Sequence, residues 1–443
     1  MVWSLQKTGR GLDFLDLGQK AHKLAEELYP ICRSLTGEGL RQTLKVLQRT
    51  LPLEICEVPT GTTAYDWIVP NEWNVKDACI KDLQGRRVVD FRESNLHLVG
   101  YSVPFRGVLT REELFTHLYS DPVHPDWIPY RHTYFKESWG FCVAHRKLED
   151  LTDDRYEVCV DTSLDPGHLT YGELVLRGRS TDEVLISAHV CHPSLSNDNL
   201  SGISVAAALA TCLMEVQTEL TYRFLFAPAT LGPVVWLSRN EAIVPKIRHG
   251  VVLSCVGDSG AVTYVRSRDG HAVIDRAVEH ILKHSGDPFS IKDFAPEGYD
   301  QRQFCSPGFN LPVGCFMRTP NGCYPEYHTS ADNMDFIKPE ALGDSIRKLL
   351  SVLAVLEGNK TYANQCPKGE PQLGRRGLIQ DAKSLGLWWI LNLSDGQHTL
   401  LDIADRSSLA FEKIEEGARA LTACGLLREV EAHHSQQSDN GNE

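Results

Sequence analysis

The chain has 443 residues, of which 42% are hydrophobic and 23% are charged, proportions typical of folded domains and not of disordered chains. Its 45 Lys and Arg residues against 58 Asp and Glu residues give a formal net charge of −13, which disfavours nucleic acid or an anionic membrane as the main partner. The 13 cysteines include no Cys-x-x-Cys pair and predict mostly buried, reduced thiols. With neither a signal-peptide core nor a membrane-length apolar segment in the sequence, we expect a cytoplasmic protein.

Within the first 168 residues, the pattern of apolar and polar residues changes at about residue 59. Residues 1–58 carry two amphipathic patterns of helical spacing, at positions 17–28 and 40–47. Residues 59–168 consist of short β-branched and aromatic runs separated by Pro, Gly and Asn, which predicts a small β-rich domain. Because the chain on both sides of it has helical character, we interpret this domain as an insertion.

Residues 169–360 alternate apolar runs of strand length with amphipathic stretches. The predicted strands cover 182–189, 222–227, 251–256 and 311–317, and the predicted helices cover 199–216, 272–284 and 339–356. Near-continuous apolar strands between such helices require a sheet that is covered on both faces. The sequence therefore predicts an α/β domain, to which residues 1–58 contribute helices.

The C-terminal part follows a polar linker. Residues 375–432 predict a winged-helix-like module, in which Trp388 and Trp389 are expected in the core. The segment that would read DNA, 411–416, carries three carboxylates, so we favour a packing or dimerisation module over a transcriptional regulator. The polar tail, 433–443, is predicted to be disordered.

The densest cluster of ligand residues is HVCHPSLSNDNLSG, residues 189–202. His189 and His192 end a predicted strand, and Asp198 precedes a predicted helix. Imidazole and carboxylate ligands at the carboxyl ends of strands suit zinc. The alternative is that Asp198 caps the helix and the histidines lie in a polar loop.

Three further candidates lie at or near the ends of later strands. Asp258 follows the predicted strand 251–256, His328 follows 311–317, and Asp300 precedes the latter. Each alone is an ordinary loop residue. Together they repeat an order that zinc hydrolases use.

The order of these motifs resembles the co-catalytic zinc aminopeptidases of the bacterial leucyl aminopeptidase and glutamate carboxypeptidase type. The segments DWIVPNEWNV, NLHLVGYSVP, WGFC, HVCHPSLSNDNLSG and YHTSADN are more closely similar to bacterial aminopeptidase-like proteins of unknown function. The resemblance implies an α/β fold with a mixed sheet flanked by helices, a small β-rich insertion and a C-terminal winged-helix module.

The resemblance also implies roles for individual residues. His189, Asp198 and Asp258 would form one zinc site, Asp198 would bridge to a second ion held by His328, and Asp300 would lie near the amino group of the substrate. One or two Zn²⁺ ions, or another divalent metal, are expected. The reaction implied is metal-assisted hydrolysis.

Two departures from the family pattern affect this site. The expected Glu-Glu pair, a base and a metal ligand, is replaced by Ala229 and Thr230, and Cys191 replaces the aspartate that would orient His189. His192 can compensate as an extra ligand of a single metal. The remaining candidates for the base are Glu326, Glu297 and Asp300.

Two hypotheses about function remain open. The first is a metal-dependent hydrolase that cleaves an amide, peptide or related acyl bond near a free amine, in a small peptide or amino-acyl metabolite. The second is a non-catalytic binding or scaffold protein on the peptidase fold, because the Glu-Glu pair is absent. We expect no nucleic-acid or membrane partner, and a homo-oligomer is open.

Overall fold

The computed structural model of the chain describes residues 11–134, 136–378 and 384–430. The chain divides into two compact units, one formed by Gly11–Asp275 and Pro288–Arg347 and the other by Arg276–Asp287 and the residues from Lys348 onward. In the described ranges no helix combines the length and the apolar character needed to cross a membrane. The predicted disordered tail, 433–443, lies outside the described residues.

The first unit contains sixteen of the described strands. They are β1 (Glu54–Pro59), β2 (Thr63–Ala64), β3 (Trp67–Ile68), β4 (Glu72–Lys81), β5 (Arg87–Asp90), β6 (Phe105–Thr110), β7 (Leu118–Tyr119), β8 (Phe141–Cys142), β9 (Arg155–Asp165), β10 (His168–Leu176), β11 (Glu183–His189), β12 (Thr221–Ala227), β13 (Ile247–Leu253), β14 (Val262–Val265), β15 (Phe289–Lys292) and β16 (Val313–Met317).

The described α-helices before residue 360 precede, separate and follow these strands. They are α1 (Phe14–Leu28), α2 (Glu38–Leu47), α3 (Arg111–Phe115), α4 (Lys147–Asp150), α5 (Gly202–Met214), α6 (Leu231–Arg239), α7 (Val273–His284), α8 (Gln301–Phe304) and α9 (Pro339–Gly358). Asp13 caps α1 by accepting hydrogen bonds from the backbone N–H groups of Leu15 and Asp16.

An eight-stranded mixed sheet forms the centre of this unit, in the order β1-β10-β12-β11-β13-β16-β14-β15. Strands β12, β11, β13 and β16 are parallel neighbours, whereas β1 and β10 pair antiparallel at one side. Every residue of β11 and β12 is buried, which explains why apolar residues predominate in both strands. The predicted α/β fold with a mixed sheet flanked by helices is confirmed.

The strand predicted at 251–256 is displaced toward the N-terminus, to Ile247–Leu253. The polar residues Arg248 and His249 hid its first half from the apolar pattern. The strand ends at Leu253 because Cys255 adopts a left-handed backbone, with φ of 50°. This displacement determines which side chains reach the sheet edge.

The β-rich segment lies between two paired strands of the central sheet. β1 ends at Pro59, which pairs with His168, the first residue of β10. A four-stranded antiparallel sheet, β5-β4-β9-β6, forms in the intervening chain. Its buried residues Trp73 and Val158 belong to the same hydrophobic cluster as Leu185 and Leu225 of the central sheet. The division into domains at residues 59 and 168 stays a prediction.

The second unit contains a small sheet and three helices in its C-terminal part. They are β17 (Thr361–Asn364), α10 (Ser384–Leu393), β18 (Asp395–Thr399), α11 (Leu400–Ser407), α12 (Phe411–Ala423) and β19 (Leu427–Val430), with the sheet in the order β18-β17-β19. Thr399 and Asp402 form a capping box at the start of α11. Trp388, which the sequence places in the core, is 42% exposed, so that prediction is wrong.

Candidate metal centre

The carboxyl end of β11 brings together three of the predicted ligands. β11 lies between β12 and β13, so its last residue, His189, stands at the middle of the sheet edge. His189 Nε2 lies 2.9 Å from Asp198 Oδ1, and His192 Nε2 lies 3.8 Å from Asp198 Oδ2. In the described part of the chain, these three side chains form the one group of at least three possible metal ligands. Their ligand atoms all lie within 4.8 Å of one another.

His328, on the loop after β16, contacts the same carboxylate. Its Nε2 atom lies 3.0 Å from Asp198 Oδ2. His189 and Asp198 are fully buried, whereas the side chain of His328 is 30% exposed. Solvent therefore reaches this cluster from the side of His328.

The protonation of these groups suits a cation. Burial opposes ionisation of Asp198, but hydrogen bonds from His189 and His328 hold the pKa of this carboxyl well below its usual range. Burial lowers the pKa of His192 well below its usual range, which keeps the imidazole neutral as a metal ligand must be. Two imidazoles and a carboxylate are donors that zinc prefers, so the residues present fit one ion.

The turn that carries Asp198 is not the regular helix start predicted at residue 199. Residues Ser196–Ser201 form a π-helical turn in which Asp198 and Asn199 have non-helical backbone angles, and regular α-helix begins at Gly202. The carboxylate of Asp332 accepts hydrogen bonds from the backbone N–H groups of Asn197, at 2.6 Å, and Asp198, at 3.0 Å. This deflection directs the Asp198 side chain to the histidines and rejects the capping alternative.

A buried arginine holds the loop that carries His192. Arg33 donates from Nε to the carbonyl oxygen of His192, at 2.7 Å, and from Nη2 to that of Pro193, at 3.1 Å. A third bond goes to the carbonyl of Leu28, at the end of α1. Burial lowers the pKa of Arg33 to about 10. The N-terminal helices thus fix the backbone of a candidate ligand.

The structure does not bring Asp258 into this cluster. Its carboxylate accepts hydrogen bonds from Asn197 Nδ2, at 3.0 Å, Thr319 Oγ1, at 2.6 Å, and the backbone N–H of Gly260, at 2.7 Å. The register pairs Ala188 with Leu253, which places Ser254, and not Asp258, level with His189. Asp258 lies four residues farther along and stabilises loops.

The candidate bases occupy different environments. Asp300 is fully buried, and neither of its carboxylate oxygens has a hydrogen-bond partner among the described residues. Burial raises its pKa to about 6, against the opposing charges of His189 and Arg302. Glu326 is half-buried on the loop of His328, and Glu297 is exposed. Asp300 is the buried member of the three.

The positions of the expected acidic residues hold other groups. Ala229 and Thr230 follow β12, whose last residue, Ala227, pairs with His189. Cys191 lies 3.8 Å from the carbonyl oxygen of Ala229, and burial raises the pKa of its thiol. A protonated thiol is a poor nucleophile, so the structure disfavours cysteine catalysis.

Three tyrosines that our sequence analysis missed surround the histidines. Tyr299 stacks on His189 at 4.5 Å between ring centroids, Tyr327 stacks on His328 at 4.0 Å, and the Tyr299 and Tyr327 hydroxyls lie 2.8 Å apart. Tyr130 contacts the rings of His192 and His328 edge-on. Tyr299 directly precedes Asp300, and Tyr327 directly precedes His328. These positions next to candidate site residues are the sequence feature that could have indicated the two tyrosines.

Comparison with known proteins identifies the family and the fold of the chain. A family described as "Domain of unknown function (DUF4910)" matches residues 22–359, and one described as "winged helix-turn-helix" matches residues 360–429. A Clostridium acetobutylicum protein is 45% identical over 423 residues, which cover 94% of this chain and 97% of the relative. Its name describes a proposed polysaccharide biosynthesis protein with an aminopeptidase-like domain.

Two solved structures show the same fold. The crystal structure of a proposed peptidase from Clostridium acetobutylicum is 45% identical, with a TM-score of 0.92 and coverage of 96% of this chain and 98% of that chain. A zinc aminopeptidase from Bacillus subtilis is 14% identical, with a TM-score of 0.55 and coverage of 76% and 94% respectively. The similarity to the Bacillus subtilis structure shows only that the fold is shared.

Proposed function

The chain belongs to the family described as Domain of unknown function (DUF4910), and on this premise we propose that it is a metal-dependent hydrolase of the aminopeptidase type. It would cleave an amide or related acyl bond next to a free amine in a small substrate. The observation that carries this proposal is the convergence of His189, His192, Asp198 and His328 at one sheet edge, beside the unpartnered carboxylate of Asp300.

The ligands proposed for one zinc ion are His189, His192 and Asp198. Such an ion would lower the pKa of a bound water and polarise the scissile carbonyl. His328 is a candidate for a second ion, but of the expected partners there only Asp198 is present. We therefore propose one high-affinity ion.

The remaining chemistry is assigned to carboxylates of the chain. Both oxygens of Asp300 lack hydrogen-bond partners among the described residues, and Asp300 lies close enough to His189 to interact with it electrostatically, so we assign it the removal of a proton from the attacking water. Glu326, on the more exposed loop of His328, is assigned to hold the ammonium group of the substrate. Aromatic rings on His189 and His328 limit access of water.

The test is a turnover screen with Zn²⁺, Mn²⁺ or Co²⁺, using aminoacyl amides, short peptides and amino sugars carrying an amide. Amino sugars are included because the relative's name refers to polysaccharide biosynthesis. We expect activity in the wild type, its loss in His328→Ala, and loss of bound metal in His189→Ala. Purified wild type without metal, together with unchanged metal content in His189→Ala, would refute the proposal.

A second candidate is a binding protein without catalysis, which the replacement residues Ala229 and Thr230 favour. Its expected signature is a bound metal and calorimetric binding of amine ligands, with no turnover in the same screen. Turnover that His328→Ala abolishes would exclude this candidate.

We further propose that the winged-helix module has no nucleic-acid partner and that the protein is cytoplasmic. Its α12 carries Glu412, Glu415 and Glu416 on the segment that would approach phosphates. Specific and salt-sensitive retardation of DNA by the full chain would overturn the first part. Cell fractionation tests the second.

A further inference from the structure

A segment of the β-rich insertion, Ile128 to Tyr134, lies directly against the loop that carries His328. The backbone N–H of Tyr130 donates to the carbonyl oxygen of His328, at 2.7 Å, and that of Ser330 donates to the carbonyl of Ile128, at 2.8 Å. Ser330 Oγ also accepts from the backbone N–H of Ile128, at 2.9 Å. Pro129 and Thr329 form an antiparallel β-bridge. Two stretches about two hundred residues apart are thus joined by a short ladder.

The ladder acts on a residue with an unfavourable backbone. His328 has φ of 55°, in the left-handed region that residues with a Cβ rarely adopt. Its carbonyl oxygen is the acceptor of the Tyr130 bond. The insertion therefore helps to hold His328 in the conformation that directs Nε2 to Asp198.

The side chain of Tyr130 acts on the same two histidines. Its ring lies edge-on to His192, at 5.4 Å between centroids, and to His328, at 5.1 Å. It is 7% exposed, and its hydroxyl lies 3.1 Å from that of Tyr134. The side chain of His192 is left 9% exposed, whereas that of His328 is 30% exposed. Tyr130 thus walls the His192 side and leaves the His328 side as the approach.

We infer that the β-rich insertion is part of the active site, that Tyr130 positions the proposed zinc ligand His192 as well as His328, and that it restricts substrates to those with a small, unbranched group beside His192. This inference rests on the proposed hydrolase for its statement about substrates. Its statement about metal binding does not need turnover.

The first experiment measures Zn²⁺ affinity by competition with a chromophoric chelator. We expect Tyr130→Ala to weaken binding about 10-fold or more, as loss of groups that orient ligands does. Tyr130→Phe retains the ring and should stay within about 2-fold of the wild type, because only the hydroxyl contact is lost. Phe105→Ala, which removes another ring of the insertion, one that stacks on Trp139, serves as the control and should bind like the wild type.

Two further variants keep this test decisive if Tyr130→Ala does not fold. Tyr130→Leu fills most of the volume without a ring, and Ser330→Ala removes only the bond from Ile128. We expect Tyr130→Leu to weaken Zn²⁺ binding, because the ring that it removes contacts His192, and we expect both variants to increase amide hydrogen exchange in residues 326–330. Wild-type affinity and exchange in both variants would overturn the positioning role.

The second experiment compares kcat/KM for glycyl and leucyl amides. We expect Tyr130→Ala to raise the leucyl-to-glycyl ratio about 10-fold, since a wall that excludes extra methylene groups discriminates by that order. An unchanged ratio would overturn the specificity role. If the wild type turns over neither these amides nor the short peptides and amino sugars of the wider screen, the proposed hydrolase and the specificity role fail together, while the Zn²⁺ titrations still decide the positioning role.

Discussion

The Nδ1 atom of His189 lies 3.2 Å from the amide nitrogen of Asn199. The orientation of this amide is fixed, because its nitrogen also donates to the carbonyl of Leu253, at 2.9 Å, and its oxygen accepts from the backbone N–H of Cys255, at 3.3 Å. Nδ1 is therefore an acceptor, and the imidazole proton lies on Nε2, facing Asp198. Metal binding through Nε2 would move this proton to Nδ1, where a carboxylate is a common partner.

Asn199→Asp is expected to strengthen Zn²⁺ binding. The new carboxylate would accept the Nδ1 proton and favour the tautomer that binds metal through Nε2, which corresponds to about 10-fold in affinity. Chelator competition measures the change. Asn197→Asp adds the same charge in the same turn but faces Asp258. An equal gain in both variants would mean that charge alone, and not the tautomer, is responsible.

Asp300→Asn is expected to lower kcat by about 10²- to 10⁴-fold, the usual contribution of a general base. Metal content, measured by elemental analysis, should not change because Asp300 is not among the clustered ligands. Glu326→Gln is the comparison variant and should mainly raise KM. If the large loss of kcat falls on Glu326→Gln, the two roles are reversed.

The double substitution Ala229→Glu with Thr230→Glu is expected to raise the bound Zn²⁺ from one to two equivalents. These positions follow β12 next to the end of β11, so a new carboxylate there can complete a site with His328 and Oδ2 of Asp198. Elemental analysis after dialysis gives the stoichiometry. The matched neutral pair, Ala229→Gln with Thr230→Gln, should remain at one equivalent. A second equivalent in this neutral pair would contradict the explanation.

Glu72 is expected to stabilise the fold in a manner that depends on pH. Hydrogen bonds from Arg41, opposed by burial, lower its pKa to about 2. A carboxyl with a depressed pKa stabilises fully above its unfolded pKa of about 4.3, and this stability is lost as the pH falls toward 2. Glu72→Gln should cost roughly 2–3 kcal/mol at pH 7 in urea denaturation, and clearly less at pH 3.

The control for this prediction is Glu57, which bonds the same guanidinium but has a side chain 40% exposed, against 12% for Glu72. Glu57→Gln should cost less than about 1 kcal/mol because solvent screens the pair. Equal losses of unfolding free energy in the two variants at both pH values would show that the burial of Glu72 does not add to the stability.

The residues that sequence alone identified are those marked by local patterns. His189, His192 and Asp198 lie within ten residues after a buried strand, and His328 lies in a polar loop after another, so strand ends placed them together. Asp258 carried the same local mark. It differs because the end of β13 depends on the left-handed backbone of Cys255, which the apolar pattern does not encode.

Tyr130 could not have been found in this way. No feature of residues 128–134 indicates contact with a loop two hundred residues later, and the ladder to His328 arises only from the way in which the insertion packs. Trp388 shows the opposite error: an apolar helix predicted burial, but the side chain forms a hydrogen bond from Nε1 to Glu370 at the surface.

The bonds of Arg33 have a consequence for the order of folding. They join residues 159 and 160 positions apart, and the contact of His328 with Asp198 spans 130 positions. Contacts of such long sequence separation form slowly, because closing the intervening loop costs conformational entropy before the contact stabilises the chain. During refolding, the helices and the strand pairs should therefore be in place before the proposed zinc site is complete, so that metal capture would report on completion of the native topology.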